Sequence, residues 1–373
     1  MPTKSSLDLR RQVGQLLIMG FDGTDLSSRL RTMLATLCPG GIILFKRNID
    51  APAQTHALLR EAQRAALIPM FLCVDMEGGT VDRLRDVIAP VPSVAEVAAA
   101  TSKELFRKHG RIIGQEVRAL GFNTDFAPVL DLQFEPSRNV LTSRTVSADP
   151  ARAIAYAREF LHGLSEHNIL GCGKHFPGLG EASLDSHSEL PSIAKPWKRL
   201  WDEDLLPYRE LCRELPFAMV AHAAYPNVAG DHTPASLSRK WMSDILRKRI
   251  GYRGLIITDD LDMGGVLAAA SIEESAVETL RAGADMFLVC QKEESVWRAF
   301  EAVYKKAEND KKFARLVVER SRRVAAAKKQ PTALKARMAP APSPKTVDRL
   351  RRRIWEFSEE VRANALALAE VPS

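Results

Sequence analysis

Eight short apolar runs recur along the chain, many of them rich in β-branched residues. They are QLLIMGF from Gln15, GGIILF from Gly40, MFLCVD from Met70, FNTDFAP from Phe122, ILGCGKHFP from Ile169, PFAMVAHAAY from Pro216, GLIITDD from Gly254 and ADMFLVC from Ala284. Runs of this kind predict strands. The stretches between them, for instance 105–120, 151–167 and 271–282, carry apolar residues at helical spacing and are long enough to act as crossovers. The chain therefore reads as repeated right-handed βα units, and eight of them predict a closed (β/α)₈ barrel. An open doubly wound sheet would use the same alternation, but no GxGxxG turn follows the first run.

Polar residues gather where the runs end: Asp75, Asp125, Lys174 with His175, His222, and Asp259 with Asp260. In a barrel the C-terminal ends of all strands share one rim, so these residues, far apart in sequence, are expected to converge on one pocket. A site thus follows from the strand pattern alone.

After residue 328 the pattern changes. The segment KKQPTALKARMAPAPSPK is rich in Pro, Ala and Lys and reads as a linker over 329–345. Beyond it, Val347, Leu350, Ile354, Phe357 and Val361 follow one another at spacings of three and four, which predicts one amphipathic helix within 346–373, with Ser343 or Thr346 near its N-cap. Docking on protein is the expected use of its apolar face. The barrel itself is assigned to 1–328.

The 373 residues suffice for one barrel with additions, since such barrels take about 250. The N-terminal segment MPTKSSLDLRRQVGQLLIMGF has its apolar stretch broken by charges and glycine, so neither an export signal nor stable membrane insertion is expected. Five scattered cysteines without CxxC spacing read as reduced thiols, which suits a cytoplasmic location. The net charge of +7 owes much to the stretch from Lys328 to Arg353, read here as a solvated basic tail. No zinc finger, RNA-binding strand motif or Walker loop accompanies it, so nucleic acid is not an expected partner.

Two segments carry the chemistry. KHFPGLGEASLDSHSELP, from Lys174, puts a Lys-His pair at a strand end and follows it with a Gly-Pro-rich loop that ends in Asp185-Ser186-His187. An Asp two residues before a His reaches the imidazole only where the backbone bends, and a loop allows this. Glu181 in the same loop reads as exposed. GYRGLIITDDLDMGG places Asp259 at the end of an apolar strand as a nucleophile or ligand, with Asp260 and Asp262 expected to cap the following turn. His222 is read equally as a pocket residue or a buried hydrogen-bonding group.

GGIILFKRN, DMEGGTVDRL, FAPVLD, KHFPGLG, DSH and GLIITDDLDM, in this order across roughly residues 10 to 325, resemble family 3 glycoside hydrolases of the β-N-acetylglucosaminidase type. The resemblance implies a (β/α)₈ barrel that trims N-acetylglucosamine from peptidoglycan fragments, with a carbohydrate as partner and no cofactor or metal. It implies Asp259 as nucleophile, His187 as general acid and base, and Asp185 as the group that orients His187. It also implies that Asp75, Arg83, Arg144, Lys174 and His175 hold the sugar. Leu179 stands where the family usually carries a second His, and LTSRTVSADP around Arg144 lacks the flanking Asp and Ser-Phe usual there. A His acid is chemically apt, because its ordinary pKa of about 6.5 is already near working pH.

Alternatives remain open at this level. The same fold supports a β-glucosidase, β-xylosidase or phosphorylase, and a barrel that has lost catalysis could still bind glycans. A metal-dependent hydrolase would use His175, His187, His222 and Asp259 as ligands, and a Schiff-base lyase would use Lys174.

Overall fold

The computed structural model describes residues 4–186, 188–329, 334 and 337–369. Its core is one parallel sheet of eight strands: β1 (Leu17–Met19), β2 (Gly41–Ile43), β3 (Phe71–Val74), β4 (Thr124–Asp125), β5 (Cys172–Phe176), β6 (Phe217–Val220), β7 (Leu255–Asp260) and β8 (Met286–Val289). They follow the order β4-β3-β2-β1-β8-β7-β6-β5, and parallel bridges Thr124–Leu170 and Val129–Lys174 join the two ends. The sheet closes on itself into the (β/α)₈ barrel. Every expected apolar run supplies one strand, and all residues of β1, β2, β3, β5, β6 and β8 are buried. Continuous burial is why these runs are mostly apolar, with one face filling the barrel and the other facing helices, while polar residues such as Asp125, Lys174 and His175 gather toward the strand ends.

Helices begin and end where side chains satisfy their free backbone groups. Lys103–Leu120 is capped by Ser102, whose hydroxyl accepts the Leu105 N–H, and stops at Gly121 with φ +100°. It buries Leu105, Phe106, His109, Ile112, Ile113, Val117 and Leu120 and packs against Pro150–Ser165. No helix among the described residues is long and apolar enough to cross a membrane.

The C-terminal helix spans Pro344–Ala369 and lies along Lys103–Leu120. Val347, Leu350, Ile354, Phe357 and Val361 are buried, and the Phe357 ring stacks on His109 at 5.7 Å between centroids. Ser343 Oγ accepts the Thr346 N–H at its start. Phe357→Ala is expected to cost about 3–5 kcal/mol in chemical denaturation, because a fully buried ring would leave a cavity at the joint.

The basic stretch from Lys328 to Arg353 is solvated at Lys329, Lys345, Arg349 and Arg352, which are exposed, but the solvated-tail reading fails at Lys328. Lys328 is buried at the end of helix Lys311–Lys329, where its ammonium donates to Gln15 Oε1 at 2.8 Å and sits over the Phe71 ring. Arg351 donates to the carbonyls of Val87 and Ile88, and Arg353 to Gln115. The five cysteines are free thiols, four buried and Cys212 half-buried.

Candidate active site

The strand ends bring Asp75, Lys174, His175 and Asp259 to one rim. Just past β3 the chain forms a small hairpin, Met76–Gly78 against Val81–Asp82, turned by Gly78 and Gly79 at φ +87° and +61°. A residue with a Cβ rarely adopts either angle, so the two glycines make this reversal possible. The hairpin aims Glu77 inward. Glu77 is 1% exposed and is held by Lys174 Nζ at 2.6 Å and by a bidentate pair from Arg144 at 2.8 and 2.9 Å. Lys174 also donates to Asp75 Oδ1 at 3.1 Å, and Arg83 lies 3.6 Å from Asp75 Oδ2.

Charge balance sets the protonation of this network. Burial alone would raise the Glu77 carboxyl, but Arg144 and Lys174 outweigh it and hold Glu77 well below the usual carboxylate range. Burial would likewise lower the Lys174 ammonium, but Asp75 and Glu77 keep it above the ordinary lysine value. An ammonium paired with carboxylates at 2.6 and 3.1 Å is a poor imine-forming nucleophile, so the geometry favours a charged clamp over the Schiff-base reading of Lys174.

Asp259, the last residue but one of β7, is half-buried, and its Oδ1 accepts the Asp260 N–H at 2.8 Å. With Asp75, Arg83 and Asp260 it lines a rim cavity of about 80 Å³ whose apolar walls include Phe45, Phe126, Met219 and Met263. Arg144, Lys174 and His175 are not among its lining residues, and Lys174 reaches the cavity through its hydrogen bond to Asp75. Asp260 accepts the N–H groups of Asp262 and Cys290, so it caps the turn as expected and also ties β7 to the end of β8. Burial, against those two donors, pushes its carboxyl up to about 7.

His175 is fixed by Asp131, whose Oδ2 lies 2.6 Å from the imidazole Nδ1 and accepts the His175 N–H, while Oδ1 accepts the Leu179 N–H at 2.7 Å. Asp131 thus anchors the start of the loop through backbone groups, and Leu179 packs into the core beside it. Tyr225 donates to the Gly178 carbonyl at 2.7 Å. Glu181, expected to be exposed, is instead half-buried in an ionic cluster with Arg199 at 3.2 Å and Lys195 at 3.5 Å. A fully buried Lys195 needs anionic neighbours, which explains the difference. Asp185 is exposed at the far end of this loop, and the Gly265 N–H donates to the Ser186 carbonyl at 3.2 Å, tying the loop to the segment after β7. His187 lies outside the described residues.

A strand-end carboxylate over a small cavity, backed by a charged clamp and a tethered loop, is an arrangement other proteins share. The sequence profile of the glycosyl hydrolase family 3 N-terminal domain matches residues 8–327. The chain belongs to glycosyl hydrolase family 3. A β-hexosaminidase of Pseudomonas aeruginosa is 38% identical over 288 residues, 77% of this chain and 86% of that one. A family 3 β-N-acetylglucosaminidase from Paenibacillus superposes with a TM-score of 0.88 at 32% identity, covering 95% of this chain and 68% of that one. NagZ from Neisseria gonorrhoeae gives 0.74 at 26% identity over 94% and 97% of the two chains.

In this family 3 glycoside hydrolase, two residues that matter were missed by sequence reasoning although both lie in quoted motifs. Glu77 of DMEGG and Asp131 of FAPVLD pass as ordinary loop carboxylates. Only their burial beside cations and an imidazole reveals them, and a carboxylate two residues after Asp75 was the one available hint. The metal-ligand reading fails at His222, which is 0% exposed with Nδ1 on Ser236 at 2.7 Å and Nε2 on the Asp260 carbonyl at 3.0 Å. With both ring nitrogens engaged, His222 serves as a buried brace.

Proposed function

We propose that this chain, a glycoside hydrolase of the β-N-acetylhexosaminidase class, removes terminal β-linked N-acetylglucosamine from peptidoglycan fragments in the cytoplasm, with retention of configuration. The observation that carries the proposal is Asp259 lining the rim cavity with Asp75 and Arg83, while the loop bearing Asp185 is tethered to the segment that follows Asp259. A retaining mechanism needs a nucleophile on one face of the sugar and a proton donor at the leaving oxygen. Asp259 would attack the anomeric carbon as the bond to the leaving oxygen breaks and that oxygen takes a proton from His187. In the second half His187 would take a proton from water, which displaces Asp259. Asp185 would orient the imidazole and neutralise its charged form.

The sugar's hydroxyls would meet Asp75 and Arg83 directly. Lys174 and Arg144 hold Glu77 ionised, and Lys174 fixes Asp75 by a direct hydrogen bond, so that Asp75 accepts hydrogen bonds without having to reorganise during the reaction. The peptidoglycan assignment rests on the family resemblance and on the likeness to NagZ.

Rates on 4-nitrophenyl N-acetyl-β-glucosaminide, the matching glucoside and the matching xyloside test this reading. The expected result is a preference for the N-acetyl sugar of about 100-fold or more in kcat/KM, the discrimination available to a site that pairs a specific polar group. Release of N-acetylglucosamine from a disaccharide muropeptide, followed by mass spectrometry, tests the leaving group. Equal rates on all three sugars would remove the N-acetyl assignment.

A further inference from the structure

The loop that bears Asp185 is anchored at its base by Asp131, Tyr225 and the Lys195 cluster, and its far end meets the segment that follows the nucleophile's strand. There the Gly265 N–H donates to the Ser186 carbonyl. Gly265 belongs to the short helical segment Gly264–Leu267, six residues beyond Asp259 and next to Met263 of the cavity wall. A Cβ built on Gly265 would lie 2.7 Å from the carbonyl oxygens of both Ser186 and Glu189. These are backbone atoms, which cannot swing aside as a long side chain would, so any side chain at 265 moves the loop as a body. The φ angle of Gly265 lies outside the left-handed region, and alanine suits the segment's own backbone. The glycine is therefore needed for contact with the loop, not for its own conformation. Ser186 is buried at this contact while Asp185, Leu184, Ser188 and Glu189 around it are exposed.

We propose that Gly265 is a positioning residue: it latches the tip of the loop, and so sets the distance between the proton donor and the nucleophile. The inference rests on the reading of Asp185 and His187 as the acid-base pair. Misplacing such a group by about 1 Å costs on the order of 100-fold, and a loss confined to proton donation shows mainly with leaving groups that need a proton.

The test compares Gly265→Ala with the wild type in kcat/KM, which reports the first bond-breaking step, on a 2,4-dinitrophenyl and on an alkyl N-acetyl-β-glucosaminide. The expected result is a fall of about 100-fold on the alkyl substrate and less than about fivefold on the dinitrophenyl one, with an unchanged Tm. Equal losses on the two substrates, or no loss on either, overturn the proposal. Amide hydrogen exchange of the wild type gives a second measurement that does not depend on the variant's folding. The Gly265 N–H should be protected, and exchange at the rate of a free peptide overturns the latch. His187→Ala is run alongside. If it shows no dependence on the leaving group, the acid-base reading has failed, and the latch is then judged by exchange alone.

Discussion

Asp259→Ala is expected to lower kcat/KM on 4-nitrophenyl N-acetyl-β-glucosaminide by about 10⁴-fold or more, equivalent to about 5.5 kcal/mol of transition-state stabilisation. On the proposed mechanism the loss is large because Asp259 would both form the glycosyl-enzyme bond and supply the anion that faces an oxocarbenium-like transition state. Acid-base assistance contributes only about 10² to 10⁴, so His187→Ala should be less damaging, above all with this activated leaving group. Folding should be nearly unaffected. Asp259 is half-buried beside Asp260, and removing one carboxylate from that pair relieves repulsion as it removes a local hydrogen bond. The decisive measurement adds azide to the variant. Azide entering the space left by the carboxylate should give the α-glycosyl azide, the product of a single inversion. Substantial residual hydrolysis with no azide product would show that Asp259 is not the nucleophile.

Lys174→Met is expected to damage stability and activity together. Lys174 is 2% exposed between Asp75 and Glu77, and its removal leaves Glu77 with Arg144 alone and Asp75 with Arg83 at 3.6 Å. Breaking a buried ion pair by deleting one partner costs about 3–5 kcal/mol, because the remaining charge keeps its desolvation penalty. Methionine restores the packing volume and leaves that electrostatic cost in place. Urea denaturation reads the stability, and kcat/KM should fall as well because Asp75, the proposed sugar contact, loses its fixed position.

The pH dependence of the same variant carries a sign. Glu77 has a folded pKa depressed below its ordinary 4.5, so its contribution is fully present above that value and is lost as the pH falls toward the depressed one. Without Lys174 the depression shrinks, and acid unfolding should begin at higher pH than in the wild type. Coincident acid-unfolding curves for the two proteins would show that Lys174 does not hold Glu77 ionised.

The sequence by itself determined the eight strands, because a strand buried on both faces must be apolar along most of its length. It also placed Asp75, Lys174, His175 and Asp259 on one rim, because parallel strands in a barrel all end at the same face. The spacing of Val347, Leu350, Ile354, Phe357 and Val361 was enough to announce a helix with one apolar face.

What that face touches was a matter for the tertiary structure, since His109 and Phe357 meet across about 250 residues of chain. The partners of charged groups were hidden for the same reason. Glu77, Asp131 and Glu181 look alike in sequence, yet one neutralises Lys174 and Arg144, one fixes His175, and one joins the Lys195 cluster. Lys328 looked like part of a solvated tail until the fold buried it against Gln15 and Phe71. Gly265 carries no side chain for a pattern to register, and its place is set by two carbonyls nearly eighty residues earlier. Local chemistry dictates which elements form and which ends are polar, while ionisation, pairing and close approach depend on desolvation and distance, which exist only once the chain has closed into its barrel.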